Sequence, residues 1–148
     1  MRSMQIAGAH LLTKLLAIHL LFGSANAAGQ ETEPEALDAA LEWLILLDNG
    51  DYAGTWDTAA DLFQTAITRE GWVDRIASVK TPLGKLISRE FRSSEPVTNP
   101  AGVPEGEYLV VRFATSFAEM EEAVETIVLH HGPGRDWKVS GYFIRPVR

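Results

Sequence analysis

The spacing of apolar residues changes abruptly near Leu83, and this change constrains the fold more than any other feature of the chain. Upstream, apolar residues recur at intervals of three and four, which is typical of amphipathic helices. Downstream, they alternate with polar residues, which is typical of strands with one buried face. A block of helices followed by a block of strands predicts an α+β fold.

Three helices are predicted in the first half of the chain. A wide apolar stripe runs through residues 36–47, and Asn49-Gly50 ends this helix because both residues tolerate the left-handed backbone conformation. A second helix is predicted over residues 51–67 and a third over residues 68–81, each opening on a residue that caps helices well. Pro82 ends the third helix, since the residue before a proline avoids helical backbone angles.

Four strands are predicted after the helices, within residues 86–93, 107–117, 123–131 and 137–145. Residues 95–106 are rich in proline and glycine and are predicted to form a loop, while residues 131–136 form a hairpin connection between the last two strands. The expected architecture is α+β, with three N-terminal helices packed on a curved four-stranded antiparallel meander. Such an arrangement forms a cone with an apolar interior.

The start of the chain has the pattern of a secretory signal peptide. Arg2 and Lys14 precede a short apolar run, residues 15–22, and Ala25-Asn26-Ala27 places small residues at the positions that a signal peptidase reads. Lys14 and His19 interrupt the apolar residues, so no stable membrane span is expected.

This pattern divides the chain into three parts. We expect residues 1–27 to be removed as a signal peptide, residues 28–34 to form a polar lead-in and residues 35–148 to form a single α+β domain. The remaining chain is long enough to bury a core of its own. The expected location is the periplasm or the medium.

Composition excludes several classes of function. The absence of cysteine excludes disulfides, thiolate metal sites and a cysteine nucleophile. The formal net charge is −7, and a leader with basic and no acidic residues leaves the exported part more acidic still, so nucleic-acid binding is not expected. Only His130 and His131 follow the leader, and neighbouring strand residues point to opposite faces. We therefore predict no metal site and no cofactor.

Short motifs of distinctive composition are spread over most of the chain. Those in its first part are Trp43-Leu44, Asp48-Asn49-Gly50-Asp51-Tyr52, Trp56, Trp72, Pro82-Leu83-Gly84 and Ser88-Arg89. Those in its second part are Glu105-Gly106-Glu107-Tyr108, Phe113, Thr115, Phe117, Glu125, Trp137 and Gly141-Tyr142. In order and spacing they resemble the exported bacterial family called domain of unknown function 4019, over residues 36–145. The resemblance implies a cystatin-like cone similar to the nuclear-transport-factor-2-like superfamily, and it implies no activity because such cones host many unrelated functions.

Aromatic residues lie on both the helices and the strands that are predicted to enclose the cone. Trp43, Tyr52 and Trp56 lie on the predicted helices and Tyr108 lies on a predicted strand. They are candidates for lining an apolar ligand pocket with polar groups at its edge. The alternative, which we favour, is that they fill the core.

Three charged residues interrupt the patterned strands, namely Arg89, Arg112 and Glu125. An arginine and a glutamate on adjacent strands can pair inside the cone, where a buried charge requires a partner. Such a set could bind a carboxylate or act as acid and base. The alternative, which we favour, is a cross-strand ion pair on the outside of the sheet.

Three hypotheses about function follow. The first is a small exported binding or accessory module without catalysis, which holds a small apolar ligand or docks a partner, or a second copy, on its open sheet face. The second is an isomerase- or hydratase-like enzyme for a small apolar substrate, with Asp48 or Glu125 as base and Tyr52 or Tyr108 as hydrogen-bond donor. The third is a structural envelope protein that dimerises through its sheet, unless the loop at residues 95–106 covers that face.

Overall fold

The computed structural model describes residues 4–6 and 33–147. The predicted signal peptide, residues 1–27, and the predicted lead-in, residues 28–34, therefore lie largely outside the described residues. The described part of the leader is the strand β1, Met4–Ile6.

Four helices precede the long strands in the described chain: α1 (Glu33–Asp48), α2 (Tyr52–Asp57), α3 (Asp61–Ala66) and α4 (Arg69–Leu83). The two predicted N-caps are present in the structure. The side chain of Asp51 accepts a hydrogen bond from the Gly54 amide at 2.9 Å, and the side chain of Thr68 accepts one from the Gly71 amide at 3.1 Å. These bonds satisfy amide groups that have no partner inside their helices.

The prediction of one continuous second helix is wrong, because the structure divides residues 51–67 into α2 and α3. The chain is extended at Ala60, with φ −64° and ψ 153°. The Ala60 amide donates to the carbonyl of Val139 at 2.8 Å, so a hydrogen bond to the sheet replaces a helical one. Periodicity alone does not show this break, since Phe63 in α3 is buried against the same core as the helices around it.

The sheet is antiparallel, with the strand order β1-β5-β4-β3-β2. Its four long strands are β2 (Leu86–Thr98), β3 (Glu107–Phe117), β4 (Met120–His131) and β5 (Trp137–Pro146). Helices followed by an open antiparallel sheet confirm the predicted α+β fold, and the arrangement is compatible with the predicted cone.

Strand β2 is longer than predicted and reduces the predicted loop to residues 99–106. Its pairing with β3 continues to Thr98 opposite Glu107, and Pro96 lies within it. A proline is tolerated here because β2 lies at the end of the sheet, so the missing amide removes no hydrogen bond to a further strand.

The main core lies between the helices and the face of the sheet that they cover, called here the inner face. Trp43 lies with its ring centroid 6.2 Å from that of Trp72 and 5.5 Å from that of Tyr142, and Phe63 meets Trp72 edge-on at 4.8 Å. Trp43, one of the aromatic candidates for filling the core, is buried, and Phe63 is buried with it. Trp56, another of these candidates, is partly buried against the same cluster.

A second, smaller cluster lies on the opposite or outer face of the sheet. Its buried members are Val97, Tyr108, Val110, Val128 and Phe143. Leu62 of α3 and Val103 of the 99–106 loop pack against it. The hydroxyl of Tyr108 donates to the carbonyl of Pro104 at 2.8 Å, which holds the loop in place. At this end the outer face is therefore covered by the loop, which is the alternative to an open face.

Candidate functional site

Arg89 and Glu125 form an ion pair on the inner face of the sheet. Arg89 lies on β2 and Glu125 on β4, so strand β3 runs between them. The prediction of a pair on adjacent strands is corrected in this respect. Thr115 of β3 bridges the gap, because its hydroxyl donates to Glu125 Oε1 at 2.6 Å and its backbone is in register with Arg89.

Both carboxylate oxygens of Glu125 are fully engaged. Oε1 accepts from Thr115 and from Arg89 Nε at 2.8 Å, and Oε2 accepts from Arg89 Nη2 at 3.2 Å and from the hydroxyl of Tyr142 at 2.5 Å. The side chain is 0% exposed. A carboxylate taken out of water requires such compensation, since an unpaired buried charge costs several kcal/mol, on the order of 3–5.

Arg89 also forms a bidentate ion pair with the last residue of helix α1. Its Nη1 donates to Asp48 Oδ2 at 2.7 Å and its Nη2 donates to Asp48 Oδ1 at 3.1 Å. Asp48 is the last residue of α1, where the helix dipole disfavours a negative charge. The guanidinium offsets this by holding two carboxylates at once, each in a bidentate arrangement.

Lys80 of α4 completes the group from the other side of Asp48. Its ammonium lies 3.5 Å from Asp48 Oδ1 and 4.2 Å from the centre of the Phe117 ring, and its side chain is 7% exposed. We call Asp48, Lys80, Arg89 and Glu125 the charge clamp. Two acids and two bases make it formally neutral.

Burial and neighbouring charges shift the pKa values of three groups in this site, Lys80, Arg89 and Tyr142. Burial lowers the pKa of Lys80, against the opposing charges of Glu125 and Asp48. Burial also acts to lower the pKa of Arg89, but the hydrogen bonds to Asp48 and Glu125 outweigh it and the pKa is raised. Burial, followed by the charge of Glu125 and the hydrogen bond to it, raises the pKa of Tyr142 well above 10. Tyr142 therefore stays a neutral donor.

The arrangement joins elements and leaves little capacity for chemistry. Glu125 has four short hydrogen bonds to its two oxygens and no exposure, so it has neither access nor a free lone pair with which to take a proton from a substrate. Asp48 is more accessible, at 18%, but its two oxygens already accept from Arg89. These contacts fasten α1, β2 and β4 to one another.

The four aromatic candidates do not form one pocket. Trp43, Tyr52 and Trp56 belong to the inner core, whereas Tyr108 lies in the outer cluster on the other side of the sheet. The Trp43 indole donates to the carbonyl of Thr55 at 2.9 Å and the Trp56 indole donates to that of Ile67 at 2.9 Å. Their polar atoms are thus used within the fold, which matches the core-filling alternative.

Arg112, the third charged candidate, is separate from the clamp. It is partly exposed, and its Nη1 lies 3.6 Å from the carboxylate of Glu95 on the neighbouring strand. The candidate set therefore divides into a buried pair, Arg89 with Glu125, and a partly exposed cross-strand pair, Arg112 with Glu95.

The two histidines have separate environments. His130 stacks on Tyr108 with ring centroids 4.3 Å apart, and His131 stacks on Trp137 with centroids 5.0 Å apart. Within residues 4–6 and 33–147, no group of three or more histidine, cysteine, aspartate or glutamate residues is arranged to hold a metal ion.

A shallow groove of about 430 Å³ lies at the other end of the outer face. Acidic residues Glu90, Glu121 and Glu122 border it, and small residues such as Ala114 and Ser116 contribute to its lining. It is bordered by none of the candidate residues chosen from the sequence.

Sequence reasoning missed Lys80 and Thr115, although a signal for Lys80 is present. Lys80 lies four residues after Ile76 and eight after Trp72, so it falls on the buried stripe of its own helix. A charge on such a stripe indicates a buried partner. Thr115 offers no comparable signal, since threonine is common in strands.

In the described part of the chain, no helix has the length and apolar character needed to cross a membrane. The fold and site define an α+β protein in which helices cover one face of an open antiparallel sheet and a buried charge clamp fastens the two layers. The family model described as "Protein of unknown function (DUF4019)" matches residues 39–142. The chain belongs to this family, which confirms the resemblance, and the matched region contains the whole charge clamp. No match was found among curated proteins.

Proposed function

We propose that this protein is an exported, non-catalytic binding or accessory module that acts through its surface. The observation that carries the proposal is the state of Glu125, which is fully buried and has both oxygens occupied by hydrogen bonds from its own chain. An acid–base catalyst requires a titrating group within reach of its substrate. The isomerase- or hydratase-like alternative finds less support for this reason.

The packing of the inner core also favours a surface role. Trp43, Phe63, Trp72 and Tyr142 are buried and their rings contact one another at 4.8–6.2 Å. The indole of Trp72 donates to the hydroxyl of Thr55 at 2.8 Å, so this polar atom is not left for a ligand. Because these side chains contact one another, the interior is better described as a filled core than as a site for a small apolar ligand.

Large exposed apolar side chains in the described chain fall mainly on two elements, α1 and β2. Six large apolar residues are exposed in the described chain, and five of them belong to α1 or β2. These five are Leu41, Ile45, Leu86, Ile87 and Phe91. Apolar side chains grouped in this way are typical of a contact surface, and we call them the apolar strip.

The export part of the proposal is supported by the leader pattern at residues 1–27 and by the acidic composition. A protein with these properties meets its partner in the periplasm or outside the cell.

Photo-crosslinking in the native host tests the proposal. A photoreactive amino acid at position 45, in the apolar strip, is compared with the same amino acid at position 74, an exposed position on α4. We expect an adduct with another polypeptide from position 45 and none from position 74. Equal labelling from both positions, or none from either, contradicts the proposal. Native mass spectrometry of the same material adds a second check, since a retained small molecule contradicts the surface role.

A further inference from the structure

Strand β2 presents a long free edge. It spans 13 residues at the end of the sheet, and no described strand lies beyond it. Most of its residues are exposed or partly exposed. The unpaired backbone groups and side chains of such an edge favour association with another chain.

Two bulges shape this edge. The register with β3 shifts between Leu86 and Ser88 and again between Phe91 and Ser93. The run between them, residues 88–91, pairs regularly with β3. Backbone pairing with a further strand is therefore limited to a short segment, and side chains have to supply most of the contact.

On the inner side of the edge, Phe91 lies along the seam between β2 and helix α1. The hydroxyl of Ser94 donates to the carboxylate of Glu33, and Arg89 holds Asp48, so the two ends of α1 are fixed to β2 on either side of Phe91. Leu41 lies midway along that stretch of the helix. Phe91 is 49% exposed with its ring centroid 6.3 Å from that of Phe113, and Leu41 is 40% exposed, so each offers apolar surface to solvent.

On the outer side of the edge, Glu90 and Arg92 flank the same point with opposite charges. They are 68% and 61% exposed, lie 3.2 Å apart and both border the outer groove. A two-fold axis at Phe91 that pairs residues 90–92 of β2 antiparallel with the same residues of a second copy places position 90 of one copy opposite position 92 of the other. The bulge between Phe91 and Ser93 interrupts regular pairing beyond this stretch. Glu90 of one copy then faces Arg92 of the other, twice.

We propose that the occupant of this edge is a second copy of the chain, joined by a two-fold contact centred on Phe91. The outer side supplies two Glu90–Arg92 contacts between copies, and the inner side brings the two Phe91 side chains together. Both layers are self-complementary about the same point, which a two-fold interface requires. The inference rests on the proposed function, because it names the partner of the apolar strip.

Charge reversal tests this contact by sedimentation velocity over a concentration series. The purified protein is expected to form a dimer. Glu90→Arg places arginines on all four positions of the contact, and Arg92→Glu places glutamates there. For each variant alone, the dissociation constant of the dimer is expected to rise by about tenfold or more. An equimolar mixture of the two variants restores opposite charges at both contacts and is expected to form the dimer again. An ion pair within one chain cannot produce this rescue.

The matched control is the mixture of Asp74→Arg with Lys138→Glu, two exposed positions on α4 and β5. Neither control variant is expected to change association. A thermal midpoint near that of the wild type shows that each variant is folded. Any of three results overturns the inference. The wild type is a monomer at all concentrations, or the dimer persists in both single variants, or the mixture of the two variants stays monomeric. A monomer that still crosslinks from position 45 to a different polypeptide leaves the proposed function intact.

Discussion

Glu125 is the residue on which the stability of the charge clamp depends. Glu125→Gln keeps the shape but leaves the Arg89 guanidinium with one ionised partner, so we expect a loss of about 3–5 kcal/mol in the free energy of unfolding. Urea denaturation measures it. The comparison is Asp57→Asn, which breaks an ion pair with Arg69 that is about half exposed on both sides and should leave the midpoint nearly unchanged. Equal effects of the two substitutions would contradict a structural clamp.

Tyr142 makes the stability depend on alkaline pH. Its pKa is raised in the folded state, so between the unfolded value near 10 and the higher folded value the unfolded chain binds fewer protons. Stability therefore falls as pH rises through this window and is fully present below it. Tyr142→Phe should be less stable at neutral pH but should lose less stability between about pH 9 and 11. Urea midpoints measured across this range test the prediction. A parallel decline with pH for both proteins would contradict it. Tyr52 and Tyr108 remain in both proteins and cancel in the comparison.

Residue identity also decided which parts of the site could be predicted. Arg89 and Glu125 stood out because each interrupts an apolar pattern, and they do pair. The inner position of the pair could not be read from alternation, since the bulge between Leu86 and Ser88 shifts the side chains of β2 relative to a regular strand. Lys80 could have been found in the same way, because its charge lies on the buried stripe of its own helix.

Among the elements, the three helices α1, α2 and α4 meet at Thr55. Its carbonyl accepts from Trp43 of α1, its hydroxyl accepts from Trp72 of α4, and the same hydroxyl donates to the carbonyl of Tyr52 at 2.6 Å. Thr55→Val keeps the volume and removes the hydroxyl, which leaves the buried Trp72 indole without a partner. We expect a loss of about 1–3 kcal/mol. Thr55→Ser, which keeps the hydroxyl, should cost less, and thermal unfolding of the two variants decides the matter.

Helix starts that depend on local caps were predicted well, and boundaries fixed by distant contacts were not. The predicted end of α4 at Pro82 is also wrong, because the helix contains Pro82 and continues to Leu83, where Gly84 caps it. The caps at Asp51 and Thr68 are local, and both are present. The break at Ala60 depends on a hydrogen bond to Val139, far away in the chain. The continuation of β2 past Pro96 depends on pairing with β3 and on the absence of a further described strand, which no local pattern contains.

At the scale of the whole molecule, export predicts a shortened chain. We expect the exported protein to begin at Ala28, because Ala25-Asn26-Ala27 precedes it. Every buried residue of the two clusters lies between Ala36 and Ile144, so the cut leaves both cores intact and removes β1. N-terminal sequencing of protein from the native host measures the start. An intact Met1 in the exported fraction would contradict the prediction.

The order of helices and strands followed from the change of period near Leu83, and so the fold class could be predicted. The outer face could not. Alternation shows that β3 and β5 carry apolar residues on both sides, but it does not show that Val103 packs on one of them. An open face and a face covered by the loop at residues 95–106 were both possible from the sequence, and a loop without periodicity gives no pattern that chooses between them.

The separation in sequence of the clamp residues has a consequence for the order of events in folding. Arg89 is 41 positions from Asp48 and 36 from Glu125. The pair with Glu125 therefore requires β2, β3 and β4 to have assembled, and the pair with Asp48 requires α1 to have docked as well. Contacts between distant segments cost loop-closure entropy, so they tend to form late in folding. Interactions that form late are absent from the transition state. The clamp should therefore act as a brake on unfolding: in stopped-flow experiments, Glu125→Gln should accelerate the unfolding rate and leave the folding rate almost unchanged. We therefore expect the clamp to lengthen the lifetime of the folded protein toward proteases without speeding its folding.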